Sequence, residues 1–135
     1  MFTGSLEDKN AIAELHARYA DAVVRKDPVD WGATWANDAT WDLMGMTVEG
    51  REAIVTLWTQ AMGQFDAVSF VMQPGATELD GDRGTGRCQT HEILVENGVA
   101  RTTGGFYEDK FVKRDGEWLY ASRAFKIIAE HRSAE

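Results

Sequence analysis

The sequence predicts an α+β fold, and three observations predict it. Apolar residues recur three or four apart in the N-terminal half. Tight-turn pairs recur in the C-terminal half, at Asp80-Gly81, Asn97-Gly98 and Asp115-Gly116. The segments between those turns have strand character and are long. Helices first and antiparallel strands later is the order of an α+β chain, and one domain over residues 1–135 accounts for its length.

Each element has its own signal. Ser5-Leu6-Glu7-Asp8 has the form of a capping box, and Ile12, Leu15, Tyr19 and Val23 then mark one helical face running to about Arg25. Asp27-Pro28 restarts a short helix, because Asp caps and Pro suits the first helical position. That helix is expected to carry Trp31 and Trp35 and to stop near Asn37-Asp38. Residues 39–46 read as a strand. Gly50 breaks the chain, and Ile54, Leu57, Trp58, Ala61 and Met62 mark a third helix. Residues 67–80 form a strand interrupted at Pro74-Gly75, where a bulge is expected. Strands over 84–96, 99–114 and 117–129 complete the series.

Composition narrows the partners. The formal net charge is −8, and such a surface repels nucleic acid and anionic membranes. No apolar run reaches the ~20 residues that span a bilayer. The opening MFTGSLEDKN lacks the basic and apolar regions of a signal peptide. Cys88 is the single cysteine, so a reducing cytoplasm is expected. Three scattered histidines and one cysteine show no metal-ligand spacing, and HEIL at 91–94 is not H-E-x-x-H. Neither a metal nor a cofactor is expected. The glycines at 81, 84 and 86 precede a strand, not a helix, so they form no nucleotide loop.

Two segments carry a resemblance. DWGATWANDATWDLMGMTVEGREAI (30–54) and GGFYEDKFVKRDGEWLYASR (104–123) resemble the SnoaL-like branch of the nuclear transport factor 2-like superfamily, in its scytalone dehydratase and hexachlorocyclohexane dehydrochlorinase line. The second is similar to that branch's G-x-Y-x-D…D-G-x-W…R hairpin. The resemblance implies a cone-shaped α+β barrel, with a curved antiparallel sheet wrapped around the helices and an apolar chamber inside. It implies cofactor-independent acid–base chemistry in many members, binding without catalysis in others, and homodimers formed through the outer face of the sheet. It also implies an Asp–His dyad, whose positions fall here on Val24 and near Phe70. Neither side chain can accept a proton.

The same resemblance turns Cys88, Thr90 and Glu92 inward, and period-two alternation then sends Arg87, Gln89 and His91 outward. Thr103, Gly105, Tyr107, Arg123 and Phe125 follow inward on the next strands. The expected lining is Tyr19, Val24, Trp41, Phe70, Met72, Cys88, Thr90, Glu92, Tyr107 and Arg123. Glu92 is the leading base, because an apolar chamber raises a carboxyl pKa. Its structural alternative is an ion pair with Arg123, and Arg123 has Asp42 as a second possible partner. Tyr19 and Tyr107 supply hydroxyl donors or simply core aromatics. His91 becomes the base if the alternation is shifted by one, and otherwise stands at a dimer contact. His16 reads as an ordinary surface or core histidine, and Cys88 as a small buried hydrophobe.

The expected activity is a cofactor-independent lyase or isomerase acting on a small apolar, aromatic or polyketide-like molecule. The alternative is a non-catalytic small-molecule-binding or dimeric interaction module on the same fold.

Overall fold

The computed structural model describes residues 3–133. Helix α1 spans Leu6–Arg25. Ser5 caps it, its Oγ accepting from the Asp8 N–H at 3.0 Å. The Asp8 carboxylate turns to the far end of the chain, accepting from Trp118 Nε1 at 3.0 Å and Lys113 Nζ at 3.3 Å. Asp8, in the first turn, thus ties the first helix to the last hairpin. Lys26, in the left-handed conformation, ends the helix. Asp27 then caps α2 (Pro28–Gly32) through the N–H groups of Val29 and Asp30.

Helix α2 is shorter than its tryptophan spacing predicts. It stops at Gly32, and Trp35 opens β1 (Trp35–Leu43). The reason is tertiary: the Tyr120 N–H bonds the Thr34 carbonyl at 2.9 Å and draws the chain into a sheet. β1 also turns back into a second strand, β2 (Met46–Glu49), through Met44 and Gly45 at φ 50° and 97°. Met has no turn preference, so Gly45 is the one local mark of this hairpin in the sequence. Helix α3 (Arg51–Met62) follows Gly50, whose φ of 90° only glycine adopts readily. Arg51 donates through Nε and Nη2 to the Trp35 carbonyl, locking the start of α3 to β1.

Four long strands follow: β3 (Ala67–Asp80), β4 (Arg83–Glu96), β5 (Val99–Arg114) and β6 (Glu117–Arg132). The turns at Asn97-Gly98 and Asp115-Gly116 have positive φ at both positions, as the sequence requires. The register of β3 shifts between Pro74 and Thr77, where the bulge was expected.

The sheet order is β2-β1-β6-β5-β4-β3. β1 runs parallel to β6, and the other neighbours pair antiparallel. The sheet is therefore mixed, and it is open, with β2 and β3 at its edges; the expected antiparallel barrel is a cone that does not close. The helices cover one face. Trp31 of α2 stacks on Trp58 of α3, with ring centroids 4.4 Å apart and planes at 8°, and Tyr19 of α1 packs against Trp31 at 5.5 Å. Fully burying one large apolar side chain stabilises the fold by roughly 1.5–3 kcal/mol, so this aromatic layer dominates the core. Among the described residues no helix is long and apolar enough to cross a membrane.

Candidate functional site

Alternation in β4 decides which side chains meet. Cys88 and Thr90 are buried, Glu92 is half-buried, and Gln89 and His91 are exposed. His91 stands on the outer face above Gly104, so it does not reach the interior as a base. β5 alternates in step, burying Thr103, Gly105, Tyr107, Asp109 and Phe111. β6 would fall out of step but for a bulge. Tyr120 faces Phe111 and Ser122 faces Lys110, so Ala121 is an extra residue. That extra residue lets Tyr120 and Arg123 both point inward.

Arg123 is the centre of the interior, with no exposed surface. Its partner is Asp109, directly opposite on β5, not Glu92 or Asp42. Nε donates to Oδ1 at 2.6 Å and Nη2 to Oδ2 at 3.0 Å. The guanidinium carbon lies 3.7 Å from the ring centre of Tyr107, 4.2 Å from Tyr120 and 4.5 Å from Tyr19. Three aromatic faces and one carboxylate therefore hold a single cation. Burial works against that charge, but Asp109, with Tyr120, Cys88 and Tyr19 behind it, outweighs burial, so Arg123 stays protonated. Burial likewise pushes the Asp109 carboxyl up, against the pull of the guanidinium.

The pair recruits its neighbours. Cys88 Sγ accepts from Arg123 Nη2 at 2.8 Å, and burial pushes the thiol up to about 12, so it is protonated at neutral pH. His16 lies in the core, its Nδ1 2.7 Å from the Tyr120 hydroxyl. Burial, with help from Arg123, lowers its pKa to about 3, so the imidazole is neutral. His16, Cys88 and Asp109 bring ligand-type atoms within 4.8 Å of one another. The Arg123 guanidinium already bonds two of the three, Asp109 and Cys88, and so supplies the positive charge of this cluster.

The Tyr19 and Tyr107 hydroxyls meet at 3.3 Å. Burial raises both pKa values, so both phenols keep their protons and remain donors. Trp41 lies beside Arg123 across the β1–β6 pairing, Met72 Sδ is 4.0 Å from Arg123 Nη2, and Phe70 packs 6.0 Å from the Tyr19 ring. The Thr90 hydroxyl and the Trp41 indole N–H are buried without a hydrogen-bond partner among the described residues. Val24 departs from expectation: it is 48% exposed, and the next residue back, Val23, is the one that helical geometry turns inward.

Packing loosens toward one end. Around Arg123 the rings fill the interior, whereas Phe70, Met72 and Glu92 are only partly buried. Glu92 faces Phe70 on β3 and Thr103 on β5. Burial raises its pKa, partly offset by Arg101. A cleft of about 970 Å³ lies on the opposite side of the sheet, lined by Thr40, Asp42, Arg87, Glu108, Lys110 and Ser122. It borders Asp109 and Arg123, but their side chains turn away from it into the core.

Asp109 and Tyr120 are the residues that sequence reasoning passed over, while His16 is the core histidine of its two readings. Asp109 had a signal: it lies two positions after Tyr107 on one strand, hence on the same face. Tyr120 had none, because the bulge at Ala121 hides its alternation with Arg123.

Comparison with known proteins agrees with this fold. The profile of a family described as a SnoaL-like domain matches residues 4–124. A hexachlorocyclohexane dehydrochlorinase (LinA, type 2) superimposes with a TM-score of 0.86 at 19% identity, covering 96% of this chain and 90% of its own. A candidate scytalone dehydratase from Novosphingobium aromaticivorans DSM 12444 gives 0.86 at 18% identity, covering 93% and 87%. A protein of the nuclear transport factor 2-like type from Novosphingobium aromaticivorans gives 0.75 at 24% identity, covering 91% and 83%. At these identities the likeness shows the fold. A search of curated protein sequences finds no match.

Proposed function

Because the chain belongs to the SnoaL-like domain family, we propose that it is a cofactor-independent lyase or isomerase acting on a small, largely apolar or aromatic molecule. The observation that carries this reading is Glu92: a half-buried carboxylate with a raised pKa, with no direct hydrogen bond or ion pair among the described residues, on the face that also holds Tyr107. Such a group is a usable base near neutral pH.

The chemistry needs only a base and a donor. Glu92 removes a proton from carbon. The electron pair of that bond forms a double bond, either expelling a leaving group or placing charge on a carbonyl oxygen. The neutral Tyr107 hydroxyl, paired with Tyr19, donates to that oxygen or to the departing group. Arg123 lies beneath both rings and adds positive potential without touching bulk solvent. The dehydrochlorinase and dehydratase names of the structural relatives both describe eliminations. The resemblance puts the family's Asp–His dyad on Val24 and near Phe70, where no side chain accepts a proton, so this reading gives the role of base to Glu92.

The test is a panel of hydroxylated aromatics and cyclic hydroxyketones, followed by product analysis. Glu92→Gln is expected to abolish turnover of any substrate found while leaving its binding intact, and Tyr107→Phe to slow it about 10²–10³-fold. Unchanged turnover in both removes these residues from the mechanism. Binding with no turnover even in the unaltered protein favours the binding-module reading, which the close packing around Arg123 supports.

The outer face gives the proposed dimer. Val71, Ile93 and Ile128 are exposed there at 60%, 43% and 58%. Light scattering on an Ile128→Glu variant tests it, with a monomer expected.

A further inference from the structure

One row of side chains crosses the open end of the inner face: Phe70 on β3, Glu92 on β4, Thr103 on β5 and Glu130 on β6. Arg101 stands two residues before Thr103 on the same face. It is therefore a diagonal neighbour of both Glu92 and Glu130, placed to pair with either. It pairs with Glu130, Nε to Oε2 at 3.8 Å. The same Oε2 accepts from the Thr103 hydroxyl at 3.2 Å, and the Arg101 guanidinium lies over the Phe65 ring at 5.7 Å. The Glu130 ion pair thus draws Arg101 toward β6, Thr103 steadies the Glu130 carboxylate, and the Phe65 ring, just before β3, covers the guanidinium. Glu92, across the row, is left without a cation of its own.

We propose that Glu130 is a positioning residue that holds Arg101 away from Glu92, so that Glu92 can take up and release a proton. The proposal rests on the reading of Glu92 as the base. Without Glu130 the guanidinium is free to swing to Glu92 and form an ion pair, and an ion-paired carboxylate is a poor base. The other charged or titratable groups at this end of the face are Tyr107 on β5, Arg132 on β6 and Tyr19 on α1, and β3 presents Val68 and Phe70; deeper on the same face lie Cys88 on β4, Asp109 on β5, Tyr120 and Arg123 on β6 and His16 on α1. Tyr107 and Tyr19 stay neutral. Arg132 sits opposite Arg101, and like charges there favour pairing of Arg101 with Glu130 between them. Burial raises the Glu92 pKa, Arg101 lowers it and Glu130 raises it, in agreement with this division.

The experiment is titration of the Glu92 side-chain carboxyl by carbon NMR, on the full chain and without any substrate. Glu130→Gln is expected to lower the Glu92 midpoint by on the order of one pH unit, since Arg101 becomes available and a negative charge is lost. Arg101→Gln is expected to raise it. In the double variant the Glu130→Gln effect should shrink well below its size in the unaltered background. An unmoved midpoint in Glu130→Gln overturns the proposal. So does an equal fall in the presence and absence of Arg101, which would leave only direct repulsion between the two carboxylates. Glu130 and Arg101 lie at the partly exposed end of the sheet, so both variants are expected to fold. The base assignment fails separately: it falls if Glu92→Gln retains full turnover, whatever the titration shows.

Discussion

Arg123 and Asp109 face each other across β5 and β6 and share two hydrogen bonds, 2.6 and 3.0 Å long, with neither side chain reaching solvent. Cys88 bonds this pair, the Tyr19, Tyr107 and Tyr120 rings pack on its guanidinium, and His16 lies against the Tyr120 hydroxyl.

Removing one partner should be costly. Asp109→Ala leaves a buried guanidinium with no counter-charge, and the expected loss is about 3–5 kcal/mol in urea unfolding. Replacing both residues with apolar ones, as in Asp109→Leu with Arg123→Met, should lose much less than Asp109→Ala alone. A double variant as unstable as the single one would show that the site is held by shape, not by charge balance.

His16 predicts acid sensitivity. Its pKa is about 3 in the folded chain against an ordinary 6.5, so the unfolded chain binds the extra proton between those values. Stability from this group is complete above pH 6.5 and falls as pH drops toward 3. Between pH 6.5 and 4 the loss is on the order of 3 kcal/mol. His16→Gln, which keeps a hydrogen-bonding group near Tyr120, should flatten this part of the stability profile. Parallel profiles for the two proteins would contradict the assignment.

Cys88 should be inert while the chain is folded. It is 2% exposed, and its thiol is pushed up to about 12 by burial. Mass spectrometry after iodoacetamide at pH 8 should find the native protein unlabelled and the urea-unfolded protein fully labelled. Rapid native labelling would mean that the interior opens far more often than its packing implies.

Gly105 leaves room for an aromatic ring. A Cβ at this position would come within 2.6 Å of the Phe125 ring and 2.8 Å of the Lys126 carbonyl oxygen. Gly105→Ala should destabilise by about 1–3 kcal/mol, measured as a lowered unfolding midpoint. Adding Phe125→Leu should recover part of that loss.

What the sequence by itself determined is the order of elements and most of the alternation. Short-range rules carry that information: the Ser5 cap, the spacing of Ile12, Leu15, Tyr19 and Val23, and the turns at Asn97-Gly98 and Asp115-Gly116 each depend on neighbours a few residues away. Tertiary structure decided the rest. Trp35 has helical spacing from Trp31 yet lies in a strand, because β6 captures the chain at Thr34. The resemblance places Val24 in the chamber wall, yet Val23, one helical turn after Tyr19, is the buried one, because a helix turns 100° per residue and two adjacent residues cannot share a narrow face. Arg123 finds Asp109, fourteen residues away in the chain, only after a bulge at Ala121 restores the phase of β6. A bulge depends on the paired strand, and pairing between strands is a contact that local sequence does not encode.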